Sequence, residues 1–168
     1  MAGHFDHMTA AKRYAAARPY FHPLVIGMIK SYLNLTDPLE VALDVACGTG
    51  RSCVALKEIV KNIVGIDSSS EMIDLATKDD RITYYVAPAE EIPLPDNSFD
   101  MITVALAFHW LDRSRFLSEA RRLLKSHGYL VIYNNSFSRK MAENPDFEEW
   151  VYEVHLKRYP TPPRNRQP

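Results

Sequence analysis

Two cysteines in 168 residues, Cys47 and Cys53, are too few for a disulfide framework and lack the paired spacing of a zinc site. Neither sign of charge is in excess. Twenty basic residues face 21 acidic ones, and basic side chains come no closer than short pairs such as Arg121-Arg122. That balance argues against nucleic acid or an anionic membrane as a partner. No stretch has the length and apolarity of a bilayer span, and the polar segment Met1 to Thr9 has no apolar signal-peptide core, so a cytoplasmic protein is expected. Internal repeats and low-complexity tracts are missing too.

What remains is a chain with 46% apolar residues, enough for one domain with a proper core. A loose N-terminus is expected over residues 1–8, where His4, Asp6 and His7 are assigned no metal. A single domain is expected over residues 9–159. The tail over 160–168, with four prolines, is expected to be irregular.

From Pro23 onward, Leu24, Val25, Met28, Ile29, Tyr32 and Leu33 recur at helical spacing, and Pro23 suits a first helical position. Apolar runs of strand length follow at Val41–Val45, Ile63–Ile66, Ile82–Val86, Met101–Leu106 and Tyr129–Tyr133, with helical patterns after the first, second and fourth. Strands alternating with helices mean a doubly wound α/β fold with a mainly parallel sheet. Ser68 with Glu71 reads as a capping box for the helix after the second strand. Asp112 reads as the cap of a helix whose face is Phe116, Ala120, Leu123 and Leu124, with Gly128 just past its end. Asn144-Pro145, then Phe147, Trp150, Val151 and Val154, marks a last amphipathic helix with no sixth strand after it. Tyr129–Tyr133 is then an edge strand, and a homodimer through that edge is one expected partner arrangement.

The chemistry concentrates at Val41-Ala-Leu-Asp-Val-Ala-Cys-Gly-Thr-Gly50, an apolar strand running into a glycine turn that opens a helix. Glycine there lets the backbone approach a ligand closely. Further on, the second strand ends in Asp67, placed to accept both hydroxyls of a ribose, so a nucleoside-containing cofactor is implied. A dinucleotide would want a third glycine or alanine where Cys53 stands and would set its pyrophosphate beside the Asp44 carboxylate, which repels it. Asp44 suits S-adenosylmethionine, which carries an ammonium and a cationic sulfur.

Leu43-Asp-Val-Ala-Cys-Gly-Thr-Gly50, Gly65-Ile-Asp-Ser68 and Ala89-Glu-Glu-Ile-Pro-Leu-Pro-Asp-Asn-Ser-Phe-Asp100 stand in the order seen in class I methyltransferases of the methyltransferase type 11 domain, which this chain resembles over about residues 12–134. Tyr14-Ala-Ala-Ala-Arg-Pro-Tyr20 and Ala107-Phe-His-Trp110 look like the branch containing trans-aconitate methyltransferase. The resemblance implies a Rossmann-like sheet with N-terminal helices and a C-terminal helix, S-adenosyl-L-methionine as cofactor, and a small-molecule acceptor such as a carboxylic acid. It also implies that Asp44, Ala46, Cys47, Gly48 and Gly50 hold the methionine part and Asp67 the ribose. Ser68 and Met72 would flank the nucleoside, and Ala89 and Glu90 would border the adenine. Many members carry an acidic residue where this chain has Pro88, so the adenine contact is expected from the backbone or elsewhere. Ala105, His109 and Trp110 follow the fourth strand at the ligand-binding edge, with His109 a general-base candidate and Trp110 a pocket wall. Tyr14 and Arg18 are expected to close over the methionine end or receive an anionic substrate. His22, His127 and His155 are given surface or capping roles. The family sheet normally has two further strands after the fifth, so a C-terminally short domain is expected, with a non-catalytic cofactor-binding module as the alternative to an active enzyme.

Overall fold

The computed structural model describes residues 20–134 and 144–159. Five strands, β1 (Leu39–Val45), β2 (Val60–Asp67), β3 (Ile82–Val86), β4 (Phe99–Ala105) and β5 (Leu124–Tyr133), pair in parallel in the order β3-β2-β1-β4-β5. Helix α1 (His22–Tyr32) precedes β1, and α2 (Arg51–Leu56), α3 (Ser70–Asp74) and α4 (Arg113–Leu123) lie between strands. The chain winds outward from β1 to β3, then returns to the other side of β1 with β4. That reversal opens a crevice at the carboxyl ends of β1 and β4, where such sheets receive ligands.

The two faces of the sheet bury different side chains, because successive residues of a strand point to opposite sides. Ala42 of β1 packs with Ile26 of α1, Leu56 of α2, Ile63 and Met101. Leu43 and Val45 pack with Ile66, Ile102, Val104 and the α4 residues Phe116, Ala120 and Leu123. Helices on both faces are what a near-continuous apolar parallel strand requires.

Three local expectations are corrected. The apolar positions of α1 form two stripes rather than one. Ile26 is buried, and Ile29 and Leu33 pack partly against the core, whereas Leu24, Met28 and Tyr32 are 76%, 71% and 86% exposed on the opposite side. The cap of α3 is Ser69 rather than Ser68: its Oγ accepts from Met72 N at 3.2 Å and donates to Glu71 at 3.1 Å. Gly128 does not stop α4, because Leu124 already pairs with Phe99 in β5. It sits instead beside a register shift, with the Phe99 and Lys125 carbonyl oxygens each 3.1 Å from where its Cβ would lie. Asp112 caps α4 as expected, accepting from Arg115 N at 3.1 Å.

The described residues fall into two compact units divided between Asn134 and Asn135. In the second, the Asn144 side chain accepts from Asp146 N at 3.1 Å. The expected last helix is there as α5 (Phe147–Trp150), a π-helical turn (Val151–His155) and α6 (Leu156–Arg158).

The loop between β3 and β4 is tied to α4 largely through Arg122. Arg122 donates to the Ile92 and Leu94 carbonyls at 2.8 Å each and pairs with Glu119 and Asp96, while Glu119 accepts from Ile92 N at 3.0 Å. Arg122→Ala is expected to lower unfolding free energy by about 1–3 kcal/mol, since it leaves two loop carbonyls and the Glu119 and Asp96 carboxylates without their charged donor. Urea denaturation measures this, and an unchanged midpoint would contradict it.

Candidate cofactor site

Immediately after β1 the backbone turns through left-handed conformations, at Ala46 (φ +54°), Gly48 (φ +55°) and Gly50 (φ +76°). Leu106, just past β4, has φ +61°. A non-glycine residue pays about 1–2 kcal/mol for that region, so Ala46 and Leu106 are locally strained, and both line the same cavity. The cavity, of about 430 Å³, also takes Cys47, Thr49, Asp67, Ser68, Met72, Ala89, Glu90, Ala105, His109 and Trp110 into its wall.

The two glycines of the turn do different work. At Gly48 the nearest atom to a hypothetical Cβ is the Met72 methyl, 4.0 Å away on the cavity wall. Gly50 does not line the cavity. A Cβ there would run into the Tyr84 ring and hydroxyl, and the same ring leaves only 2.7 Å to a Cβ at Gly65. Tyr84 lies under the turn, and its hydroxyl donates to the Thr77 carbonyl at 3.1 Å. Space is open beside Gly48, whereas Gly50 makes room for the Tyr84 ring.

Asp67 ends β2 and joins the turn to α3. One carboxylate oxygen accepts from Gly48 N at 2.8 Å and the other from Ser69 N at 2.9 Å. Burial pushes this carboxyl above the usual range, and the backbone N–H bonds from Ser69, Gly48 and Ser68 pull it back. A carboxylate can accept about four hydrogen bonds, so Asp67, which lines the cavity, keeps acceptor capacity for a ligand.

Asp44 is not where the sequence expectation put it. Its carboxylate is fully buried, does not line the cavity, and accepts from Ser52, from Thr103 at 2.6 Å and from the Cys53 thiol at 3.2 Å. Burial raises its pKa, and the Ser52, Thr103 and Cys53 bonds oppose that rise. Asp44 thus clamps β1, β4 and α2 from behind, presenting Ser52 rather than itself to the cavity.

The far rim is built from the segment after β4. Glu90 accepts from Asp112 N at 2.9 Å, joining the β3–β4 loop to the start of α4. His109 and Trp110 are exposed at the mouth, their rings 4.9 Å apart. Arg51, Ser52 and His22 are among the wall residues that the sequence did not single out for the site, and His22, expected in a surface or capping role, is buried. Arg51 and Ser52 directly follow the glycine turn, so their adjacency was a usable signal. His22 had none: it is paired with Tyr133, 111 residues away, at 2.9 Å. Burial and the Arg51 charge push the His22 imidazole down to about 4. Tyr14 and Arg18 lie outside the described residues.

The family described as a methyltransferase domain matches residues 43–132. The chain belongs to this methyltransferase family. Over 149 residues it is 33% identical to a methyltransferase of inferred activity from Dictyostelium discoideum, covering 89% of this chain and 54% of that one. Over 99 residues it is 44% identical to a demethylmenaquinone methyltransferase of Thermotoga maritima, covering 55% of this chain and 42% of that one. The crystal structure of an S-adenosylmethionine-dependent methyltransferase from Mesorhizobium loti matches with a TM-score of 0.55 at 28% identity, over 63% of this chain and 51% of the other. The chain spans about half the length of the curated relatives it matches.

S-adenosylmethionine is the cofactor of this methyltransferase family. The site fits such a molecule. The Asp67 and Glu90 carboxylates suit a ribose diol and an amine, Met72 and the alanines at 87 and 89 offer apolar walls to a nucleoside, and Gly48 leaves space at the turn. Nothing in the described wall forms a cluster of lysines suited to a pyrophosphate.

Two predictions follow from the geometry. Gly50→Ala is expected to cost more than about 2 kcal/mol, from the left-handed strain and the Tyr84 collision together. Adding Tyr84→Ala should make the pair less unstable than the sum of the singles, and strict additivity in a double-mutant cycle would argue against the packing role. The second concerns pH. His22 folds with its pKa below the unfolded value near 6.5, so its contribution is complete above that value and is lost as pH falls toward about 4. Among the described residues, Arg51, Tyr133 and Tyr20 are the charged and titratable groups facing it. The stability of wild type minus that of His22→Gln should therefore shrink between pH 6.5 and 4; a flat difference would contradict the burial of a neutral imidazole. Taking the difference removes Asp44 and Asp67, whose raised pKa values act in the opposite direction.

Proposed function

We propose that the protein transfers the methyl group of S-adenosylmethionine to a small molecule, and that the acceptor is a carboxylic acid methylated on oxygen. The observation that carries this reading is the cavity at the strand-order reversal, with Gly48 and Asp67 in its wall beside the carboxyl ends of β1 and β2. The sulfonium of the bound cofactor supplies an already activated methyl group. The chain then has mainly to bind, align and exclude water. Asp67 and Glu90 hold the nucleoside, Met72 and Ala89 flank it, and Ala105 to Trp110 border the space left for the acceptor.

A carboxylate attacks through its own oxygen without losing a proton, so His109, exposed at the mouth beside Trp110, acts as a wall rather than a base. The likeness of Tyr14 to Tyr20 and Ala107 to Trp110 to the trans-aconitate methyltransferase branch supports the same acceptor class. A second reading, methylation at a ring carbon, is favoured by the demethylmenaquinone methyltransferase of Thermotoga maritima among the relatives.

Calorimetric titration of the full chain with S-adenosylmethionine, its demethylated product and NAD tests the cofactor: the first two should bind and NAD should not. Asp67→Ala should weaken both by about tenfold or more, the equivalent of roughly 1.4 kcal/mol, and unchanged affinity would remove Asp67 from the ribose. Transfer of a labelled methyl group then separates the acceptors. An O-methyl ester releases its label as methanol in mild base, a C-methyl product retains it, and binding without transfer to either class supports a non-catalytic module.

A further inference from the structure

The polar corner formed by His22, Tyr133 and Arg51 is assigned no role by the reading above. His22 opens α1, Tyr133 closes β5 and Arg51 opens α2, so three elements distant in sequence meet at one place on the cavity. His22 and Arg51 both line it. The His22 ring is 8% exposed, lies 4.7 Å from the Phe21 ring and meets the Tyr133 ring edge-on at 5.9 Å, which fixes its orientation. The Arg51 guanidinium sits over the Tyr20 ring at 5.1 Å from its centre.

The tautomer follows from hydrogen-bond supply. Burial pushes the Tyr133 hydroxyl well above its usual pKa, so it stays protonated and needs an acceptor. The acceptor at hand is His22 Nδ1, 2.9 Å away. With Nδ1 accepting and the ring neutral, the remaining proton is on Nε2, making that nitrogen a donor and not a base. A neutral N–H donor beside a guanidinium presents a hydrogen bond and a fixed positive charge together, the pairing that selects an anionic oxygen.

We propose that this corner is the recognition point of the methyl acceptor: His22, oriented by Tyr133, donates from Nε2 to a carboxylate oxygen of the substrate, and Arg51 supplies the charge that selects an acid over its amide. The carboxylate held here positions the molecule, so an acceptor with two acidic groups, one held and one methylated, fits this arrangement best. This rests on the reading of the cavity as shared by donor and acceptor.

The test uses the full chain saturated with S-adenosylhomocysteine, with succinate and its uncharged diamide as probes. Wild type should bind succinate at least tenfold more tightly than succinamide, and succinate should raise the His22 imidazole pKa seen by NMR, because an anion nearby favours the protonated ring. His22→Leu should lose about tenfold in succinate affinity. His22→Gln, whose side-chain NH2 reaches nearly the position of Nε2, should recover most of that loss, and Tyr133→Phe should fall between. Equal binding of acid and diamide by wild type, or equal binding of succinate by His22→Leu and wild type, overturns the proposal. A loss of succinate affinity that Gln does not recover reduces His22 to a packing residue and overturns it as well. Failure of wild type to bind S-adenosylhomocysteine would instead overturn the cofactor reading, so the two failures are distinguishable.

Discussion

A carboxylate with no access to water sits at the centre of the sheet, and most of the site's geometry depends on keeping it satisfied. Asp44 pairs across β1 with Gly65 on one side and Thr103 on the other, and its side chain gathers Thr103, Ser52 and Cys53. A buried charge without donors would cost several kcal/mol, so β4 and the first turn of α2 must stay where their hydroxyls and thiol reach it. That requirement fixes the distance between the ends of β1 and β4, and the cavity is what lies beyond those ends.

A second carboxylate repeats the device one strand away, this time within reach of a ligand. Asp67 holds Gly48 N and Ser69 N, so the turn after β1 and the cap of α3 move together. The left-handed residues Ala46 and Leu106 sit at the same edge, one after each central strand. Strain of this kind persists only where surrounding contacts over-determine it, and here the Asp44 clamp behind and the Tyr84 ring beneath supply them. The site is accordingly stiff on its donor side. The cavity also draws on α1, whose His22 is held by Tyr133 at the end of β5, elements outside the matched family region at one end and at its limit at the other.

Much of this was legible beforehand because it is local. Strand-length apolar runs, a glycine turn opening a helix and an aspartate at the end of the next strand are all short-range patterns, and β3 runs over Ile82–Val86 as read. Capping was legible to within one residue: Ser68 and Ser69 are chemically equivalent, and only the backbone direction leaving β2 decides that Ser69 faces Met72 N. The helix before the sheet was legible as a helix but not as a face, since its apolar residues occupy two stripes and sequence alone does not say which one the sheet takes.

The alternation of strands and helices, the parallel sheet, the glycine turn and Asp67 at the end of the second strand each arise from residue types at short fixed spacing, and so could be read along the chain. That Asp44 turns inward, that Gly50 makes room for Tyr84, and that His22 meets Tyr133 across 111 residues came from the packing of the folded chain. Those outcomes depend on which side chains neighbouring strands and helices bring to the same point, and spacing along the chain carries no record of that.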